Sequence, residues 1–381
     1  MQNFDAAAFL RDCWQKQPLL IRNPWGCWTN PLEPDELAGL ACQAEVESRL
    51  VRQVAQGGWT VQHGPFGPES FGDLGATPWT LLVHAVDHHI DEVAALIEPF
   101  RFIPDWRIDD VMVSYAVEGG GVGPHFDQYD VFLVQGLGQR RWRIGKRHDS
   151  SARLLPHDDL RLLADFEPLE EWVLDPGDIL YVPPGYAHDG VAVGDDCMTY
   201  SVGFRAPSRG DLVSAWADHL LDTLDEDDRY TDPNLSVGAP PGEISSAALA
   251  RLQAMVSDAL TDRTAFAAWF GRYVTRPKED GLDWAPEQHV TAADLTRERA
   301  PLDLARNPAS RFSFVRESTE RLVLFVDGEA YVCQGTVARM AERLCAEPRI
   351  IAPSNELASQ DVAGLIIDLL NRGCLAIIDS D

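Results

Sequence analysis

His125 and Asp127 stand two residues apart in the stretch Gly123-Pro124-His125-Phe126-Asp127-Gln128-Tyr129-Asp130. Side chains at i and i+2 of an extended backbone leave the same face. An imidazole and a carboxylate placed in this way can take adjacent positions on one metal ion. A third donor is His188, at the end of Asp178-Ile179-Leu180-Tyr181-Val182-Pro183-Pro184-Gly185-Tyr186-Ala187-His188. There an apolar strand is stopped by a Pro-Pro-Gly turn that presents the histidine just beyond it. Two imidazoles and one carboxylate with open positions are the ligand set of non-haem Fe(II) oxygenases. A His-x-Asp pair alone is common among surface residues; the downstream strand, turn and histidine give it weight.

Such a triad needs strands to carry it. Residues 111–117 and 131–135 read as strands on either side of the first two ligands, and Gly119, Gly120 and Gly121 as a flexible turn. No helix start with a lysine follows those glycines, so they are not a phosphate cradle. From about 106 to 207 the pattern is short alternating strands separated by Gly and Pro, the signature of an all-β sandwich or barrel. Residues 135–139 read as a hairpin turn. The strand after it puts Arg140, Trp142 and Ile144 on one face, the more apolar one. Arg140 is then an always-charged group pointing inward, costly unless an anion meets it. That anion is either a protein carboxylate or the distal carboxylate of a bound dicarboxylic acid. By the same parity Met112, Ser114 and Ala116 share a face, with Ser114 either a helper for that anion or simply a small interior residue.

Outside this region the chain is mixed. Residues 9–22 read as a short helix leading into a strand, 33–43 as a helix, and 48–51 and 59–63 as strands. Residues 79–97 carry Leu82, Val86, Ile90 and Val93 at helical spacing. His84 and His88 are four apart on that predicted helix, but no acidic base or third ligand accompanies them, which makes them ordinary surface or packing histidines. Helices are predicted over 211–224, 244–260 and 264–273, with an acidic, Pro/Gly-rich exposed loop at 225–242. Helical hairpins of this kind form a dimer face or pack on the barrel. After a charged linker at 276–288 come a helix at 290–295, a strand at 311–315 and a hairpin turning at Asp327-Gly328. A helix at 360–371 and a strand at 375–378 complete a winged-helix-like module. It lacks a basic recognition helix, which fits a structural or substrate-docking role better than DNA binding.

The formal charge of −28 over 381 residues opposes binding to nucleic acid or anionic membrane and favours basic partners, or else reflects a solvated acidic surface. Seven cysteines without Cys-x-x-Cys spacing suit a reducing compartment and give no zinc site. No apolar run approaches a membrane span, and Met1-Gln2-Asn3-Phe4-Asp5 lacks a signal-peptide pattern. A cytoplasmic location is expected.

Val122-Gly123-Pro124-His125-Phe126-Asp127-Gln128-Tyr129-Asp130-Val131-Phe132, Gln139-Arg140-Arg141-Trp142-Arg143, Pro176-Gly177-Asp178-Ile179-Leu180-Tyr181, Pro183-Pro184-Gly185 and His188 together resemble the JmjC-type ribosomal oxygenases. The likeness is greatest to their bacterial arginine-hydroxylating branch, extends over nearly the whole chain, and thins after residue 225. It implies an α+β fold: a double-stranded β-helix (cupin/JmjC jelly roll) over 1–207, a helical dimerisation region over 208–275 and a C-terminal winged-helix domain over 276–381. It implies Fe(II) on His125, Asp127 and His188, with positions left for 2-oxoglutarate and O2. The far carboxylate of 2-oxoglutarate falls to Arg140, helped by Ser114; many relatives have lysine at the Arg140 position. Oxidative decarboxylation to succinate and CO2 would drive β-carbon hydroxylation of an arginine in large-subunit ribosomal protein sixteen, by a homodimer that does not bind DNA. Glu118, Gln128 and Tyr129, beside the metal, are the candidates for gripping that arginine. The alternatives are the same chemistry on a histidyl or N-methyl-lysyl substrate, a non-enzymatic cupin binding protein, and a winged-helix DNA-binding regulator. Intact His125, Asp127, His188 and Arg140 argue against the second, and the net charge against the third.

Overall fold

The alternating runs between residues 106 and 207 form the middle of a nine-stranded antiparallel sheet in a computed structural model of the chain. The structure describes all residues except 3, 55–57, 73, 76, 236–239, 278–283, 298–300 and 379–381. Parts of the expected acidic loop (236–239) and linker (278–283) therefore lie outside the described residues.

The strands are β1 (Leu19–Ile21), β2 (Ser48–Val54), β3 (Gly58–His63), β4 (Trp79–Val83), β5 (Ile108–Ala116), β6 (Asp130–Arg147), β7 (Glu170–Leu174), β8 (Ile179–Val182) and β9 (Tyr186–Phe204). They run in the order β1-β8-β6-β9-β5-β4-β2-β3, with β7 also on β6. The roll comes from β6 and β9. The first half of β6 pairs with β8 and the second half with β7, while β9 follows it on the other side through both halves. Short helices α1 (Ala6–Asp12), α2 (Pro34–Leu40), α3 (Glu69–Gly72) and α4 (Asp91–Ala94) pack around the sheet.

Two sequence expectations are corrected here. Residues 135–139 do not reverse the chain; they lie inside the continuous strand β6. Gly138 adopts φ +56, a conformation open to glycine, and the register against β9 shifts between Gln135 and Gln139. The result is a bulge that bends the strand. Residues 79–97 are not one helix. Trp79–Val83 is a buried strand between β2 and β5, because an apolar and β-branched run covered on both faces satisfies either period. Ala85, at φ +51, ends the strand's regular backbone. His84 packs against Arg49, with Nε2 3.0 Å from its guanidinium, as a packing histidine should.

The core of this first unit (Met1–Ala206) is aromatic. Trp14 stacks on Tyr181 at 5.6 Å, and Phe9 and Phe132 meet the same ring. The Tyr181 hydroxyl donates to the fully buried Asp130 at 2.6 Å, which also accepts from Gln15 at 2.9 Å and Arg107 at 3.0 Å. Burial raises the Asp130 pKa while these donors pull it down. The N-terminal segment is thus tied to the residue that opens β6.

The second unit, Pro207–Asp381, begins with α5 (Arg209–Thr223), α6 (Ser246–Thr261) and α7 (Arg263–Thr275). Each has a side-chain N-cap, from Ser208, Ser245 and Asp262 respectively. There follow α8 (Ala292–Arg297), β10 (Leu302–Arg306), β11 (Phe312–Ser318), β12 (Arg321–Val326), β13 (Glu329–Gln334), α9 (Thr336–Ala346), β14 (Arg349–Ala352), α10 (Ser354–Leu357), α11 (Gln360–Asn371) and β15 (Leu375–Ile377). Two three-stranded sheets, β14-β10-β15 and β11-β12-β13, close over α9 and α11 around a core containing Leu324, Met340 and Ile366. β10, α9 and β14 were not marked by the sequence pattern.

Candidate metal centre

His125 is not in a regular strand; an isolated antiparallel bridge to His188 fixes it. The His125 N–H donates to the His188 carbonyl at 3.0 Å, and the His188 N–H donates back at 2.8 Å. Two residues on, the Asp127 carbonyl accepts from the Gly185 N–H at 2.7 Å, so the turn before β9 also anchors Asp127. The backbone therefore laces the two ligand-bearing segments together, and the side chains converge as a consequence.

Asp127 Oδ2 lies 3.7 Å from His125 Nε2 and 3.5 Å from His188 Nε2. One ligand atom from each of the three lies within 4.8 Å of the others. That is close to the ~3–4 Å spacing of donors sitting about 2.1 Å from a common ion. His125 Nδ1 is 2.8 Å from the Gly123 carbonyl and His188 Nδ1 is 3.0 Å from that of Tyr186. These carbonyls accept the Nδ1 protons and leave the Nε2 lone pairs free to bind metal. Burial, with His125 next to it, lowers the His188 pKa to about 4, so its imidazole is neutral near pH 7.

On the same interior face, Arg140, Trp142 and Ile144 are all buried, as the alternation predicts. Ile144 pairs with His188 and Arg140 with Ala192, four residues further along β9. That is about 13 Å at the ~3.3 Å rise of a strand. Trp142 lies between them, its ring 5.8 Å from His188 and 5.7 Å from the Arg140 guanidinium carbon. Gly190 permits this: a Cβ there would come within 2.6 Å of the Trp142 ring.

Arg140 Nε donates to Cys197 Sγ at 3.4 Å. Among the described residues its buried Nη2 has no hydrogen-bond partner, and neither has the buried Trp142 Nε1. An N,N,O donor set at one end and an unsatisfied guanidinium at the other fit a metal-bound diacid between them.

Ser114 is buried in the same interior but meets no guanidinium; its hydroxyl donates to the Thr199 carbonyl at 3.4 Å. Thr199 Oγ1 donates to Gln135 Oε1 at 3.1 Å, and Gln135 Nε2 donates to Cys197 at 3.5 Å. Ser114 is thus linked to Arg140 indirectly, through Thr199, whose main-chain carbonyl takes the Ser114 bond while its hydroxyl starts the side-chain series through Gln135 and Cys197 to Arg140. Trp142, Cys197, Gln135 and Thr199 were not assigned to the site from sequence; strand parity with Arg140 and Ser114 is the signal that marks Trp142.

The three candidates for substrate contact separate. Tyr129 is 41% exposed as a residue, while desolvation of its phenol, and after that the nearby negative charge of Asp127, push its pKa well above the usual range. Gln128 lines a cleft of about 520 Å³ with Arg147, His148, Asp149 and Gly185. Glu118 is exposed and accepts from the Gly194 N–H.

Residues 95–212 match the JmjC domain family and residues 258–376 the ROXA-like winged helix. The ribosomal protein uL16 3-hydroxylase of Escherichia coli (strain K12) is 45% identical over 280 residues, 74% of each chain. The X-ray structure of E. coli ycfD superposes with a TM-score of 0.89 at 34% identity, covering 99% of both chains. The structure of the E. coli ribosomal oxygenase YcfD in complex with cobalt and 2-oxoglutarate superposes with a TM-score of 0.86 at 34% identity, over 99% of both.

Proposed function

Since the chain belongs to the JmjC-domain ribosomal oxygenases, we propose that it hydroxylates the β-carbon of an arginine in large-subunit ribosomal protein sixteen (uL16). It is an Fe(II)- and 2-oxoglutarate-dependent oxygenase. With O2, these supply the oxidising power: one oxygen atom enters the substrate C–H bond and the other the succinate formed as CO2 leaves.

The residues of this chain have distinct tasks. His125, Asp127 and His188 hold the metal, their donor atoms aimed by the His125–His188 backbone bridge. Arg140 receives the far carboxylate of 2-oxoglutarate, a charge that its buried guanidinium otherwise lacks. Trp142 forms the wall between the two ends and keeps water off the diacid. Ser114 acts through Thr199, Gln135 and Cys197. Tyr129, Gln128 and Glu118 contact the segment that carries the arginine. An acidic enzyme and a basic ribosomal protein attract over a distance, which favours encounter, and the same charge disfavours DNA.

The single observation that carries this reading is the row His188–Trp142–Arg140, which joins a metal triad to an unpaired cation across the paired strands β6 and β9. We divide the chain into a catalytic part (1–207), a helical dimerisation region (208–275) and a winged-helix domain (276–381). The dimer is supported by α6, which carries Leu249, Leu252, Val256 and Leu260 on one stripe, all exposed, and has no buried residue. No helix of the described residues is long and apolar enough to cross a membrane; we place the enzyme in the cytoplasm, with its substrate.

The test is tandem mass spectrometry of uL16 after incubation with the protein, Fe(II) and 2-oxoglutarate. One arginine should gain one oxygen as succinate appears. An oxygen on histidine, a lost methyl group or no change would replace this reading.

A further inference from the structure

In the second unit, α11 and the outer edge of β13 face each other across a cleft of about 1310 Å³. β13 is the last strand of its sheet and pairs only with β12, so its other edge is unpaired among the described strands. From α11 come Gln360, Asp361, Gly364, Ile367 and Asp368, the spacing of one helix face. A strand edge opposite a helix across an apolar slot is the geometry in which an extended peptide is added as one more strand.

Three features give the cleft the character of a binding groove. Val332, at the middle of β13, is 60% exposed. Gly364 sits in the interior of α11, where glycine is less stable than alanine. A Cβ there would meet nothing within 4 Å, so internal packing does not demand the glycine. What the missing side chain does is keep the slot wide. Finally, the charged residues lining the cleft, Asp361 and Asp368, are both acidic. Asp368 accepts from Tyr331 Oη at 2.5 Å, and Arg372 donates to the same phenol. Asp361, exposed in the first turn of α11, is the better site for an incoming cation.

We propose that this cleft docks an extended, basic segment of the protein substrate, distinct from the segment that carries the modified arginine. The segment adds along β13, sets apolar side chains over Val332, Leu357 and Ile367, and brings a lysine or arginine to Asp361. The identity of the partner rests on the ribosomal-protein reading above. The acidic lining repels a phosphate backbone, which sets nucleic acid aside as the occupant.

Two variants of the full chain test this. Gly364→Leu fills the slot while raising helix propensity, so its melting temperature should equal or exceed that of the wild type. Asp361→Lys reverses the charge on an exposed site. Binding of fluorescently labelled full-length uL16 is read by anisotropy, and turnover is read on a short peptide bearing only the target arginine. Both variants should bind the full-length protein about tenfold more weakly, or about 1.4 kcal/mol, and turn over the peptide at the wild-type kcat/KM. Unchanged binding, or an equal fall with the short peptide, overturns the proposal. So does a changed sedimentation behaviour with uL16 binding intact, which would make a second copy the occupant, or loss of ribosomal RNA binding in place of protein binding. Turnover of the peptide by the wild type reports separately on the proposed activity.

Discussion

The interior of the rolled sheet and the helices of the second unit treat polar and apolar groups in opposite ways. In the sheet, Ser114, Gln135, Arg140, His188, Asp189 and Thr199 are all buried, and each has a defined partner. Asp189 is paired with Arg143 directly across from it, which locks the register one residue beyond the candidate metal ligand His188. In α6 the reverse holds, with an apolar stripe left facing outward. Buried polar groups are expensive unless satisfied, and exposed apolar stripes are unfavourable unless covered. The first region accepts its cost around a candidate reacting centre; the second would do so to meet another protein, as in the dimer proposed above. Substitutions should therefore change chemistry without changing association in the sheet, and association without chemistry in the helices.

The largest expected effect sharpens the first half of that contrast. Arg140→Met keeps the length of the side chain and removes the charge. It should raise the KM for 2-oxoglutarate roughly a hundredfold, within the range for losing one partner of a buried charge pair, and leave kcat within a few-fold. Arg140→Lys should fall between, because an ammonium offers a point charge and not a fork. Calorimetric titration of 2-oxoglutarate onto the Mn(II)-loaded protein checks both. An equal fall in kcat and affinity would mean that Arg140 mainly supports the fold, and the contrast would fail there.

A smaller effect probes the other region. Val256→Lys places a charge in the exposed stripe of α6, so the stability of a lone protomer should change by less than about 0.5 kcal/mol. The dissociation constant of the proposed dimer should rise about tenfold, the equivalent of about 1.4 kcal/mol, as read by analytical ultracentrifugation, with short-peptide turnover unchanged. Loss of turnover in step with dimer dissociation would show that the two regions are coupled.

The candidate site was far more legible in the sequence than the bends that build it. His125, Asp127 and His188 stand out because few residue types bind metal, and their spacing sits beside unmistakable turns. Arg140 stands out because a guanidinium on an apolar strand face breaks the alternation. By contrast, Gln135-Gly136-Leu137-Gly138-Gln139 has the composition of a hairpin, and only pairing with β8 and β9 makes it a bulge. Likewise, Trp79–Val83 becomes a strand because β2 and β5 cover it, a tertiary effect with no local mark. The link from Ser114 to Arg140 was invisible for a related reason: it passes through Cys197, and a cysteine on a strand reads as an ordinary small apolar residue.

That cysteine gives the smallest and most discriminating test. Cys197 Sγ accepts from Arg140 Nε at 3.4 Å and from Gln135 Nε2 at 3.5 Å, so it holds the guanidinium edge-on and leaves Nη2 free for a carboxylate. Cys197→Ala removes the acceptor from both donors; at about 1 kcal/mol for a hydrogen bond, 2-oxoglutarate should bind roughly fivefold more weakly. Cys197→Ser keeps an acceptor in place and should restore most of that affinity. A residue that merely fills space would lower the melting temperature in both variants and leave the KM for 2-oxoglutarate alone. Positioning predicts the opposite split: a KM that rises with alanine and returns with serine, at nearly constant kcat. If the serine variant binds 2-oxoglutarate no better than the alanine variant, Cys197 acts by packing, and the polar chain from Ser114 does not extend to the co-substrate.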